Sequence, residues 1–156
     1  YAAALYPAML AAEEGFRQLI WTDAIEHKYI EGAGTMNVIF IIDNILVTPI
    51  SGDTILNGIT KKSVLEIAKD WGMEVQERKI EVDEILNALM SGSLTEAFGA
   101  GTAATIAPIS NISLNGENFI IPESKPDHFH VKILNYLSNY KKGEVEDKFN
   151  WMETVN

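Results

Sequence analysis

The sequence predicts a mixed α/β domain of the α+β kind, and three observations carry that prediction. Apolar residues recur with helical spacing at Val64, Leu65, Ile67, Ala68 and Trp71. The β-prone runs Asn37 to Ile42 and Ile45 to Pro49 flank Asp43 and Asn44, two residues suited to a tight hairpin turn. Helix-like and strand-like segments then follow one another neither in strict alternation nor in two separate blocks. With 156 residues, 47% of them hydrophobic, residues 1–156 can bury one core of ordinary domain size.

Taken in order, Ala2 to Glu14 is made of strong helix formers and Gly15 supplies the stop. Pro7 marks the first turn of that helix or kinks it, because it has no amide hydrogen to donate. Gln18 to Thr22 and Lys28 to Glu31 read as strands around a polar connector, Asp23 to His27. Gly32, Ala33 and Gly34 interrupt the second run; paired glycines weaken a strand unless another backbone or a ligand must come close. After the Asp43-Asn44 hairpin comes a helix from Ile59 to Trp71, ended by Gly72. Glu74 to Ile80 reads as a strand, and Asp83 starts an amphipathic helix through Ile85, Leu86, Leu89 and Met90. Glu96 to Gly101, Thr105 to Ser113 and Asn118 to Ile121 read as strands, and Pro126 to Tyr140 as the closing helix. The tail from Gly143 carries charges and then Phe149, Trp151 and Met152, and is expected to dock back by its aromatic residues.

Charge narrows the partners. Acidic residues outnumber basic ones 22 to 12, so the surface field repels phosphate backbones and anionic headgroups, and neither nucleic acid nor membrane is an expected partner. The longest apolar candidate, Val38 to Ile42, is broken by Asp43 and Asn44, far short of a membrane span. The lack of cysteine excludes disulfides and thiolate zinc sites and fits a reducing compartment, so a cytoplasmic protein is expected. The chain starts at Tyr1 without a basic flank or a cleavage pattern, which reads as a cut edge. His27, His128 and His130 lie in polar connectors and read as solvated, and without further ligands nearby no metal is expected.

Two segments could hold an anion. Gly58 precedes a helix, so the amides of Ile59, Thr60 and Lys61 are unpaired donors at the positive end of a dipole; most such ends bind only water. Phe98-Gly99-Ala100-Gly101-Thr102-Ala103-Ala104 is short of side chains, so its backbone can approach a ligand and Thr102 offers a hydroxyl, or else it is a plain glycine turn. Together they are more persuasive, because a phosphate needs donors from separate parts of the chain. Glu31 is the carboxylate that borders the glycines 32 and 34, while Lys61 and Lys62, at the start of a helix, are expected to face solvent.

Thr35-Met36-Asn37, Leu56-Asn57-Gly58-Ile59-Thr60 and Gly99-Ala100-Gly101-Thr102-Ala103-Ala104 resemble, in order and spacing, the signature segments of branched-chain amino acid aminotransferases, which are pyridoxal-phosphate enzymes of fold type IV. The likeness runs from Tyr1 to Trp151-Met152 and implies the large domain of that fold, a pseudo-barrel of strands flanked by helices, without the small N-terminal domain. It implies that Ile59 and Thr60 give amides to the cofactor phosphate, that Thr102 also binds it, that Leu56 packs on the pyridine ring and that Tyr1 bonds the ring hydroxyl. On the substrate side it implies Gly34 and Thr35, with amides of Thr102 and Ala103 for the carboxylate. Substrates would be leucine, isoleucine or valine with 2-oxoglutarate, and the assembly a homo-oligomer.

The resemblance also has breaks. The Schiff-base lysine of the family lies a few residues before the tyrosine matched by Tyr1, so the chain as given is expected to bind pyridoxal phosphate through its phosphate and not to transaminate alone. The carboxylate that pairs with the pyridine nitrogen falls at Gly32; Glu31, one position early, points to the opposite face unless a bulge at Gly32 to Gly34 restores it. Ala104 and Ala107 replace the redox cysteine pair of some relatives. The rival readings are a non-catalytic fragment, pseudoenzyme or engineered scaffold, and another fold-type IV enzyme such as a D-amino acid aminotransferase or aminodeoxychorismate lyase.

Overall fold

Side chains that alternate along two paired strands set the layers of the structure, a computed structural model that describes residues 2–153 and 155. β3 (Asn37–Ile42) turns Ile39 and Ile41 to one side and Val38 and Phe40 to the other. β6 (Leu94–Gly101) splits likewise, Phe98 and Ala100 against Leu94 and Ala97; Thr95 is skipped in the register, which lets Leu94 and Ala97 share a face. These strands pair antiparallel at the centre of a five-stranded sheet of order β5 (Val75–Arg78), β4 (Ile45–Pro49), β3, β6, β7 (Thr105–Pro108). β4 is antiparallel to β3 and β7 to β6, and β5 runs parallel to β4.

On one face of this sheet α2 (Ile59–Asp70) and α4 (Phe129–Lys141) bury Val64, Leu65, Ile67, Ala68, Ile133 and Leu137. On the other, α3 (Val82–Ser91) contributes Ile85 and Ala88 to a second core. Two further ladders reach that core: β1 (Ile20–Thr22) with β2 (Ile30–Ala33), through Ile20, Ile30 and Ala33, and β8 (Asn111–Leu114) with β9 (Glu117–Ile120), through Ile112. Strands of three sheets surround one apolar centre, with α3 closing one side of it and α2 and α4 outside, which fits the expected fold of strands flanked by helices. No helix among the described residues is long and apolar enough to cross a membrane.

The β3–β4 hairpin has the predicted boundaries, and Asp43 and Asn44 adopt φ of 50° and 63°, the left-handed conformation that this tight turn requires. α1 (Ala2–Glu13) accommodates Pro7 within it but buries none of its residues, and leaves Leu5, Tyr6 and Met9 exposed. Phe149 packs on the α2/α4 core, and Trp151 lies against Phe149 at 4.6 Å and Tyr140 at 5.3 Å, so the tail docks by its aromatic residues as expected.

Several boundaries differ, and three of them have a clear cause in the tertiary structure. Gly32 and Ala33 continue β2 rather than interrupt it, because both pair with β1. The single run 105–113 is two strands in different ladders; after Pro108 the amide of Ile109 bonds to Ala97 O, and from Asn111 the chain pairs with β9. The last helix begins at Phe129, not Pro126, because Glu96 accepts the first amides of α4.

The connector between β1 and β2 is organised by Asp23. Its carboxylate accepts the amides of Tyr29, Glu26, Lys28 and Ile25, and these bonds, that of Tyr29 foremost, hold its carboxyl well below the usual carboxylate range. A depressed folded-state value stabilises the ionised native form above the ordinary aspartate pKa of about 3.9, and that contribution fades as pH falls toward the folded value. Asp23→Ala is therefore expected to be less stable than the parent at neutral pH, with faster amide exchange confined to residues 25–29. Denaturant melts at descending pH should show the two proteins converging below about pH 4; a constant gap would contradict the assignment.

Candidate cofactor-binding site

The predicted anion donors occupy the expected helix start. Gly58 is the N-cap of α2 with extended backbone, no side chain caps the helix and its first turn carries no acidic residue. The first intrahelical bond runs from Lys62 N to Gly58 O, so the amides of Ile59, Thr60 and Lys61 have no partner within the helix. Leu56 and Ile59 are 79% and 75% exposed, an apolar pair beside polar donors, and Thr60 is half-buried.

Asn37 joins this segment to the second one. Its backbone pairs with Ala100, two residues before Thr102. Its side chain, 9% exposed, donates from Nδ2 to Leu56 O at 2.8 Å. Its Oδ1 lies so close to Gly58 that a Cβ there would collide with it, which is the reason for glycine at that position. The loop before α2 and the end of β6 thus meet at one buried amide.

A second close approach brings in the turn after β2. Ala33 and Met36 exchange backbone bonds at 3.0 Å, and Gly34 sits at φ +59° where a side chain would strike Gln18. Met36 lies across β6: a Cβ on Gly99 would come within 2.7 Å of its Cε, and one on Gly101 within 2.9 Å of its Cγ. Gly34 and exposed Thr35 therefore sit over the end of β6 that leads to Thr102 and Ala103, both exposed in the turn before β7. Gly99 and Gly101 lie within β6 rather than in a turn, and the room they leave is taken by Met36.

The bulge expected at Gly32 to Gly34 falls instead on Glu31. Trp21 faces Gly32 and Thr22 faces Ile30, so Glu31 has no cross-strand partner. Its Oε1 accepts the Thr54 hydroxyl at 2.7 Å, which turns the carboxylate toward the loop that carries Leu56. Tyr1 lies outside the described residues. Two shallow depressions on the α3 side, one around Tyr29, Lys79 and Asn87 and one around Ile42, Gln76 and Ser91, involve none of these residues.

Two expectations are overturned. Lys61 does not face solvent: it is fully buried, with Nζ bonded to Pro49 O at 2.9 Å, Ser51 Oγ at 2.8 Å and Glu77 Oε1 at 2.8 Å, and only Lys62 is exposed. A side chain with partners at the end of β4, at the start of the following loop and on β5 escapes the rule that a helix-start lysine is solvated. Nor are all the histidines in connectors: His130 is on α4, 6% exposed, with its Nδ1 bonded to Glu96 at 2.6 Å, while His27 is exposed and His128 half-buried. Burial pushes the Glu96 carboxyl up, but the bonds from His130 and from the amides of His130 and Phe129 outweigh it and hold it below the usual range.

Residues 1–112 match the model of the family Amino-transferase class IV, and the chain belongs to that family. It is 41% identical over 155 residues to Branched-chain-amino-acid aminotransferase 2 of Bacillus subtilis (strain 168), covering 99% of this chain and 43% of that protein. It is 38% identical over 160 residues to the branched-chain-amino-acid aminotransferase of Mycolicibacterium smegmatis, covering all of this chain and 44% of that protein. Among solved structures it resembles the branched-chain amino acid aminotransferase from Escherichia coli (29% identity, TM-score 0.76, 96% of this chain and 46% of that one). It also resembles a T.th. branched-chain amino acid aminotransferase complexed with N-(5'-phosphopyridoxyl)-L-glutamate (25% identity, TM-score 0.79, 100% and 48%). The chain spans less than half the length of these relatives.

Proposed function

We propose that this chain is the cofactor-holding part of a branched-chain amino acid aminotransferase, and that its cofactor is pyridoxal 5'-phosphate. The observation that carries the reading is Asn37, which ties the uncapped start of α2 to the end of β6 and so gathers donors from two distant stretches. In this reading the amides of Ile59 and Thr60 and the hydroxyl of Thr102 hold the phosphate. Exposed Leu56 offers an apolar surface to the flat ring. Glu31, turned by the bulge, stands in for the carboxylate missing at Gly32, and Tyr1 meets the ring hydroxyl. Bound there, the cofactor supplies an electron sink for chemistry at an amino acid's α-carbon. The turn of Gly34 and Thr35 and the amides of Thr102 and Ala103 receive the carboxylate of a branched-chain amino acid or a 2-oxo acid.

Lys61 is adjacent to these donors but does not act as an amine nucleophile, since its ammonium is buried and bonded to Pro49 O, Ser51 and Glu77. A cytoplasmic homo-oligomer completes the proposal. Thermal shift tests it: pyridoxal phosphate, and more weakly inorganic phosphate, should raise the melting temperature in proportion to the logarithm of concentration above Kd. No shift with either would end the proposal. Glu31→Ala separates ring from phosphate recognition. It should weaken pyridoxal phosphate about tenfold, the value of one charge-assisted bond, and leave inorganic phosphate unchanged; equal effects on both ligands would remove Glu31 from the site.

A further inference from the structure

The start of α4 meets the start of β6 at a buried polar cluster that the cofactor reading does not use. Glu96 and His130 are 7% and 6% exposed. Glu96 Oε1 accepts the amide of Phe129 at 2.8 Å, and Oε2 accepts the amide of His130 at 2.9 Å and its ring Nδ1 at 2.6 Å. His130 Nε2 lies 2.8 Å from Ser124 Oγ. His128, at the N-cap, brings a second imidazole with 5.7 Å between ring centroids, and its Nδ1 is buried without a hydrogen-bond partner. One donor atom from each of Glu96, His128 and His130 lies within 4.8 Å of the other two.

Helix capping accounts for part of this. The carboxylate satisfies two amides of α4, and His130 completes it. Capping leaves His128 unexplained, because a buried ring nitrogen with no partner carries a desolvation cost that a structural role does not return.

We propose that Glu96, His128 and His130 bind a first-row divalent transition metal, with Zn2+ the ion that best suits two imidazoles and one carboxylate. Three protein ligands with an open fourth position are a common zinc arrangement, whereas calcium and magnesium want oxygen donors. Zinc bonds of about 2.0–2.1 Å put tetrahedral ligand atoms roughly 3.4 Å apart. His128, whose ring has no Nδ1 bond to break, closes on the other two from at most 4.8 Å, while Glu96 Oε2 and His130 Nδ1 open from 2.6 Å. The ion takes the place of the proton between Glu96 Oε2 and His130 Nδ1. The other nitrogen of His130 then donates to Ser124 Oγ, the outer hydrogen bond by which metal-bound histidines are oriented. Glu96 lies five residues before Gly101 on β6, about 17 Å at the rise of a β-strand, and Thr102 follows in the turn, so the ion and the phosphate do not compete.

The test is calorimetric titration of the 156-residue chain with Zn2+, with Co2+ as a spectroscopic substitute. One ion per chain and the visible absorption of four-coordinate cobalt are expected. His128→Ala should weaken binding by more than about a hundredfold, since even outer partners of a ligand are worth 10–100-fold. Its melting temperature without metal should not fall, because the Glu96–His130 bonds remain. Ser124→Ala should cost about tenfold. No saturable binding, or parent-like binding by His128→Ala, would overturn the proposal. So would labelling of Ser124 by a fluorophosphonate in a chain that takes no zinc, which would instead assign the Glu96–His130–Ser124 chain to a nucleophilic hydroxyl.

Discussion

Asn37→Ala is expected to weaken inorganic phosphate and pyridoxal phosphate alike by more than tenfold while the protein still folds. The side chain touches no proposed ligand atom; it acts as a positioning residue through Leu56 O and the backbone at Gly58. Without it the loop 51–58 loses its tie to β3, and the amides that follow are no longer held in register with Thr102, which a convergent anion site does not tolerate. The lost bond itself costs about 1–2 kcal/mol, because Leu56 O can turn to water in an exposed loop. That corresponds to a fall in melting temperature of roughly 2–8 °C for a chain of this size. Asn37→Asp is the sharper variant. It keeps the shape, yet faces Leu56 O with an acceptor and adds a negative charge beside the donors, so its loss of phosphate affinity should exceed that of Asn37→Ala. Calorimetry with phosphate decides the matter, and parent-like affinity in both variants would show that the loop needs no such tie.

Lys61→Met is expected to produce the larger loss of stability, about 3 kcal/mol, or roughly 6–12 °C in melting temperature. The substitution conserves volume in a fully buried site and removes bonds to Pro49 O, Ser51 Oγ and Glu77 Oε1. Glu77 is 38% exposed and regains hydration, which keeps the loss below that of an ion pair buried on both sides. Pro49 O has no such recourse if it stays buried, and leaving it unpaired is where most of the penalty arises. Because Pro49 and Ser51 lead into the loop of Leu56, phosphate affinity should fall as well. Lys62→Met, one position on and exposed, should stay within about 0.5 kcal/mol of the parent. Scanning calorimetry of the three proteins checks both statements, and a Lys61→Met melt that coincides with the parent would show the buried ammonium to be dispensable.

The parts of the fold legible in the sequence are those governed by near neighbours. Asp43 and Asn44 tolerate positive φ, and the apolar runs beside them are β-prone, so the hairpin boundaries follow to the residue. The stripe from Val64 to Trp71 repeats every turn, and α2 starts at Ile59 as expected and runs to Asp70 with Trp71 as its C-cap. The three signature segments suffice for the family. The run 105–113 reads as one strand because nothing local separates its two halves. They belong to different ladders, and which strand each half meets is set by residues elsewhere along the chain. The start of α4 escapes a local reading for a similar reason: the cap is a carboxylate on β6, 33 residues away from Phe129.

Read in one dimension, the residues already specify most of the order of elements, the family, and the two stretches proposed to hold an anion. Periodicity, turn residues and spacing act over a few positions, so they survive without coordinates. Folding in three dimensions settled the rest: that Asn37 links those stretches, that the bulge falls on Glu31, that Lys61 is buried, and that Glu96 finds His130. Each is a pairing of polar groups brought together from distant positions. The free energy of such a pairing depends on burial and on which partner arrives, and neither is encoded next to the residue itself.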